Sequence, residues 1–110
     1  MTLNYFSKWP GWSVRGSVLG VILLAAACSA GPPVQEMSDA RQAITAAREA
    51  GASDAAPEEL RAAEDYLDSA LRNLTRKEYG EAREDAREAK SRAVAALETT
   101  EQAAENDPRR

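Results

Sequence analysis

The sequence predicts an all-α protein in which an N-terminal signal-peptide helix precedes a small antiparallel helical hairpin or three-helix bundle. Three observations support this prediction. A short apolar run ends directly before Cys28, the single cysteine of the chain. The 83 residues from Cys28 onward include 20 alanines, the residue with the highest helix propensity. In the same region, apolar residues recur at three- and four-residue steps, the spacing of one face of a helix.

The first element is a leader. Its apolar run covers residues 18–27, whereas a membrane-spanning helix needs about 20 apolar residues. Lys8 and Arg15 precede the run, and no acidic residue occurs before Glu36. A positive segment, a short apolar segment and then small residues are typical of a secretory signal. We therefore expect residues 1–27 to form a signal peptide that is cleaved off.

The end of this leader resembles the bacterial lipoprotein signal, in which an aliphatic residue and small residues precede a cysteine. The matching stretch is Leu24, Ala25, Ala26, Ala27 and Cys28. The resemblance implies cleavage between Ala27 and Cys28, a diacylglycerol on the Cys28 sulfur, and an acyl chain such as palmitate on the new amine. As a thiolate, cysteine is a strong nucleophile that suits this modification. The alternative is a free cysteine at the end of an uncleaved signal anchor.

Residues 28–35 are expected to be the lipidated cysteine and a short linker, because two consecutive prolines disfavour a helix there. Without the leader, 12 Lys and Arg face 18 acids, so the net charge moves from −4 to −6. This acidity argues against nucleic-acid binding, which uses clustered cations. The sequence has no histidine, which excludes histidine-based catalysis and most zinc sites.

The first helix of the domain is predicted over residues 36–50. Its apolar stripe consists of Val34, Met37, Ala40, Ile44 and Ala47. Gly51 is expected to end the helix, because glycine readily adopts the left-handed conformation of a helix stop. The stretch "GASDAA" after it is expected to be a loop.

The second helix is predicted to begin at Pro57, since proline suits the first helical position and Glu58 and Glu59 suit the first turn. Its apolar face is the best in the chain and consists of Leu60, Ala63, Leu67, Ala70, Leu71 and Leu74. The stretch "TRKEYGEA" that follows is expected to be a tight turn between helices.

The third helix is predicted from about Glu78 to Ala104, which places the helical domain at residues 36–104 and a polar tail at 105–110. Small side chains dominate its stripe, which consists of Tyr79, Ala82, Ala86, Ala89, Ala93, Ala96 and Leu97. Alanines on this face allow a neighbouring helix to approach closely. The stripe is interpreted as bundle core. The near-heptad spacing of Tyr79, Ala82, Ala86, Ala89 and Ala93 also makes it a candidate interaction face, for self-association or for a partner.

A resemblance to a known family covers residues 39–97. The motifs "DAR.A...AR.AGA", "APEEL..AE..L..A" and "Y.EAR..A..A" are similar to small bacterial envelope lipoproteins with an uncharacterised helical domain, the domain of unknown function 4398. The resemblance implies an all-helical envelope domain, which in some members is joined to a peptidoglycan-binding domain. It implies no catalytic residue.

These observations together predict a lipid-anchored cell-envelope protein with a non-catalytic structural or adaptor role through helix–helix contacts. Ser29 after the lipidated cysteine resembles the second mature residue of outer-membrane lipoproteins, and in a cell with two membranes this resemblance implies the periplasmic face of the outer membrane. We expect no cofactor, no metal and no catalytic residue, because acidic pairs such as Glu64-Asp65 and Glu84-Asp85 lie on polar faces without a nucleophile. Expected partners are the membrane, an envelope protein or a second copy, with peptidoglycan nearby.

Two alternatives come from other classes of protein. The "YGEA" stretch with Ala86 and Ala89 resembles the second helix of a tetratricopeptide unit, so one alternative is a peptide- or ligand-binding module with a groove between the second and third helices. The other is a wall-associated structural lipoprotein. A long coiled coil of that kind would be interrupted here at Gly51 and Pro57.

Overall fold

The computed structural model describes residues 31–109. The chain divides into two compact units, Met1–Gly31 and Pro32–Arg110. The predictions for the leader, for the cleavage site and for Cys28 lie outside the described residues. The description below therefore concerns the second unit.

Four helices make up this unit: α1 (Val34–Ala50), α2 (Ala52–Ala55), α3 (Pro57–Thr75) and α4 (Tyr79–Glu105). Residues 31–109 contain no strand, so the prediction of an all-α fold is confirmed. The three predicted helices agree with α1, α3 and α4, with starts and ends that differ by one or two residues. The predicted "GASDAA" loop needs a correction, because Ala52–Ala55 forms a single helical turn in which Ala55 N–H donates to the Gly51 carbonyl (3.2 Å).

Each predicted helix boundary has a local physical cause. Gly51 ends α1 in the left-handed conformation, with φ of 103°, as its position predicted. Pro57 occupies the start of α3, where its missing N–H costs nothing. Lys77 follows α3 with φ of 61°, and its N–H donates to the Leu74 carbonyl while the Glu78 N–H donates to the Asn73 carbonyl. This pair of bonds is a Schellman motif in which lysine stands where glycine is usual.

The helices form a three-helix bundle. α3 and α4 are an antiparallel hairpin, and α1 packs mainly on α4 and less on α3. Near the start of α1, Met37 packs with Ala70 and Ala86. Further along, Ile44 and Ala47 join a cluster that contains Leu60, Ala63, Ala93 and Ala96. α1 therefore runs parallel to α4 and antiparallel to α3.

Alanine fills most of the interior. Apart from Pro33, which directly precedes α1, only three apolar side chains larger than alanine are buried within residues 31–109: Met37, Ile44 and Leu60. The other buried apolar residues are Ala40, Ala47, Ala52, Ala56, Ala63, Ala70, Ala82, Ala86, Ala89, Ala93 and Ala96. Small side chains let the three helices approach closely, but each contributes less hydrophobic burial than a leucine would.

The alanine stripe of α4 belongs to this interior. Ala82, Ala86, Ala89 and Ala93 are fully buried, and Tyr79 is half-buried. The interpretation of the stripe as bundle core is therefore confirmed. The expectation that it also serves as an interaction face is corrected for these four alanines, because the other helices of the same chain cover them, whereas Tyr79 keeps part of its surface exposed.

Candidate functional site

Ion pairs fasten α1 to both of its neighbours. Glu36 lies 3.2 Å from Nε of Arg83 and 3.8 Å from Nη2 of Arg87, both on α4. Asp39 lies 3.7 Å from Nζ of Lys90. On the other side, Nη2 of Arg48 lies 2.6 Å from Oε1 of Glu64 on α3.

The apolar stripe of α1 faces inward, and ion pairs join α1 to α4 on one side and to α3 on the other. In this position α1 occupies the space between α3 and α4. A peptide groove of the tetratricopeptide type would need that space.

A polar network links α3 to α4 at Asp85. Ser69 Oγ and Asn73 Nδ2 both donate to Asp85 Oδ2, at 2.6 and 2.8 Å. An open depression of about 400 Å³ lies beside this network, and Gly80, Glu81 and Glu84 also line it. Because Asp85 accepts two interhelical bonds, the residue has a structural role.

A second open groove, of about 350 Å³, runs between α1 and α3. Its lining mixes cations, acids and apolar atoms: Arg41, Ile44, Thr45, Arg48, Glu64, Leu67 and Asp68. The Arg48–Glu64 ion pair belongs to this lining, so the groove coincides with a contact that holds the bundle together.

Members of the acidic pairs noted in the sequence either lie exposed on the surface or form contacts between helices. Glu58 is exposed in the first turn of α3, Glu64 pairs with Arg48, and Asp85 accepts from Ser69 and Asn73. Within the part of the chain that the structure describes, no group of three metal-ligating side chains could hold an ion. The same residues contain no helix that is long and apolar enough to cross a membrane.

Arg92, on the outer face of α4, has a shifted pKa. Glu88 accepts a hydrogen bond from Nε of Arg92 at 2.9 Å, and this contact raises the pKa of Arg92 above its ordinary value. The guanidinium lies over the Tyr66 ring, 5.9 Å from its centre, and makes a cation–π contact between α3 and α4.

The two ends of the bundle differ in charge. We call the end that carries Val34 and the α3–α4 turn (residues 75–78) the turn end, and the end that carries Gly51, α2 and Thr100 the α2 end. At the turn end, Arg72, Arg76 and Lys77 are exposed, and none of them forms an ion pair within residues 31–109. At the α2 end the sequence has no cation between Arg48 and Arg61 and none between Arg92 and Arg109. The acids there are Glu49, Asp54, Glu58, Glu59, Glu98, Glu101, Glu105 and Asp107.

Sequence reasoning missed this division because the chain's charges alternate along each helix. One signal was present, since the predicted turn "TRKEYGEA" contains two adjacent cations, Arg76 and Lys77. The Asp85 network was missed as well. Nothing in the spacing of Ser69, Asn73 and Asp85 indicates which helix faces meet.

Comparison with known protein families matches residues 35–109 to the Domain of unknown function (DUF4398). The comparison with curated proteins found no match. The comparison with solved structures found none either. Since the matched region covers about two thirds of the chain and coincides with the helical bundle, the chain belongs to the DUF4398 family.

Proposed function

We propose that this protein is a lipid-anchored component of the cell envelope with a non-catalytic structural or adaptor role. The observation that carries the anchor is the agreement of two boundaries. The second compact unit begins at Pro32, and the family match begins at residue 35. Both boundaries follow Cys28, so cleavage before this cysteine would remove the leader and leave the whole matched domain attached to the lipid.

The adaptor role draws on how the bundle uses its side chains. The apolar stripes face inward, and several acids on the outside are engaged in interhelical contacts. A partner would therefore meet the outward, charged faces of the helices, since the alanine stripe is covered. In a cell with two membranes, the resemblance of Ser29 to the second mature residue of outer-membrane lipoproteins supports an anchor on the periplasmic face of the outer membrane, near peptidoglycan.

The anchor is tested by replacing Cys28 with serine in cells fed a labelled fatty acid. We expect Cys28→Ser to lose the acyl label and to keep the leader, because the serine hydroxyl is a far weaker nucleophile than a thiolate. Ser29→Ala is the matched control and keeps both labelling and cleavage. Full labelling of the Cys28→Ser protein would contradict the proposal.

The partner is tested by photo-crosslinking in intact envelopes. A crosslinking residue at exposed Ser53 in α2 or at exposed Glu101 in α4 should capture a neighbouring envelope protein, whereas the same residue at buried Ala89 should not. A peptidoglycan pull-down in parallel tests the wall-associated alternative. Crosslinks from Ala89 alone would contradict the covered stripe and the proposed outward contact.

A further inference from the structure

We propose that the turn end of the bundle docks on the anionic phospholipid surface through Arg72, Arg76 and Lys77, so that the bundle stands on the bilayer with its α2 end outward. This inference rests on the proposed lipid anchor and adds an orientation and a lipid class to it. Its basis is the length of the tether, the charges at the two ends, and the backbone of Lys77.

The tether limits which part of the bundle can reach the membrane. Five residues separate Cys28 from Val34, where α1 begins, and the six Cα–Cα steps of this tether span about 20 Å when fully extended. The 17 residues of α1 span about 25 Å from the turn end to the α2 end. The turn end therefore remains near the lipid surface, while the tether alone leaves the tilt of the bundle open.

The charges decide the tilt. Three of the five cations that lack an ion pair within residues 31–109 are Arg72, Arg76 and Lys77 at the turn end; the others are Arg41 and Arg61. Glu78 and Glu81 are the exposed acids that follow them in the chain, and exposed Asp68 precedes Arg72 by about one helical turn. At the α2 end, acids are uninterrupted by cations over residues 49–60 and 93–108. An anionic surface attracts the first end and repels the second, and both effects favour the upright position.

The backbone at Lys77 gives a reason to connect these cations with function. With φ of 61°, the residue adopts a conformation that disfavours every side chain and suits glycine. Strained residues tend to persist where they serve a function. Cations near the C-terminus of a helix also complement its dipole. That effect does not depend on lipid composition, so vesicles of different charge separate the two explanations.

The test uses the full acylated protein in vesicles. Acylated Cys28 has no free thiol, so a cysteine introduced at Thr75 or at Ser53 is the single labelling site, at the turn end or the α2 end. A fluorophore at each position reports its distance from a quencher on the lipid headgroup. The vesicles are phosphatidylcholine alone or phosphatidylcholine with phosphatidylglycerol, at low and high salt.

We expect added phosphatidylglycerol to increase quenching at position 75 and to decrease it at position 53, and high salt to abolish both changes. Arg76→Gln with Lys77→Asn should reduce the ratio of docked to undocked protein about fivefold per cation removed. Asparagine keeps the left-handed backbone accessible. Arg41→Gln with Arg61→Gln removes the same charge away from the turn end and should keep the response.

Equal quenching in the two kinds of vesicle would overturn the docking inference, and so would an equal loss in the two double variants. Failure of the acylated protein to stay on neutral phosphatidylcholine vesicles is a different result. It would overturn the lipid anchor, and the docking inference with it. Circular dichroism of each variant on the vesicles shows that the helices are intact.

Discussion

At the scale of single residues, the bundle depends on alanine as a spacer. Ala86, Ala89, Ala93 and Ala96 are fully buried on α4, the helix against which both α1 and α3 pack. A larger side chain there would have to displace a neighbouring helix, because protein interiors are close-packed and leave no spare volume. These positions therefore require alanine because the neighbouring helices are close, as well as because alanine favours a helix.

The first prediction concerns Ala93, which lies in the cluster with Ile44 and Leu60. Ala93→Leu should lower the free energy of unfolding by about 1–3 kcal/mol through overpacking. Thermal or urea unfolding followed by circular dichroism measures this change. Ala103→Leu makes the same substitution at an exposed position of α4 and should be nearly neutral. Equal effects of the two substitutions would contradict the close packing of α4.

At the scale of elements, the helix ends are set by local chemistry, and they are not equally favourable. α1 ends at Gly51, which adopts φ of 103° at no steric cost. α3 ends with the same left-handed geometry at Lys77, where a β-carbon is disfavoured. The two helix ends have similar backbone conformations but differ in strain. Only a substitution at Lys77 is therefore expected to stabilise the protein.

The second prediction follows from that strain. Lys77→Gly should raise the free energy of unfolding by about 1 kcal/mol, because it relieves the left-handed strain at a modest cost in unfolded-chain entropy. Lys77→Ala removes the same charge but retains a β-carbon, and should give no such gain. Urea unfolding of the original protein and of the two variants measures these differences in the free energy of unfolding. A similar gain for both variants would assign the effect to charge instead of backbone.

At the scale of the whole molecule, the described unit closes its apolar surface within one chain. The larger apolar side chains that remain exposed within residues 31–109 are Val34, Leu71 and Val94, at 73, 36 and 38 % exposure. They lie on three different helices, α1, α3 and α4, with one such residue on each helix. Association through the covered alanines would first require α1 to leave the α3–α4 hairpin, which would expose Met37 and Ile44 as well.

The third prediction is that residues 29–110, produced without leader and lipid, sediment as a monomer at all concentrations tested. Since α1 covers the stripe of α4, no large apolar face is left to drive association. Ile44→Ala weakens the contact of α1 with the hairpin and should cost about 2–5 kcal/mol in unfolding free energy. A stable dimer of residues 29–110 with Ile44 intact would contradict the prediction.

The sequence by itself determined the helices, their order and most of their ends, because periodicity, Gly51 and Pro57 act through near neighbours. It missed α2, since a single turn is too short to show a period, and it offered two readings of the alanine stripe. Tertiary structure decided between them. An apolar stripe has the same spacing whether its own chain or a partner covers it, and only the packing of α1 against α3 and α4 shows which one does. The same packing brings Ser69 and Asn73 to Asp85, and Met37 of α1 to Ala70 and Ala86. Sequence spacing does not reveal such contacts, because they join residues far apart in the chain.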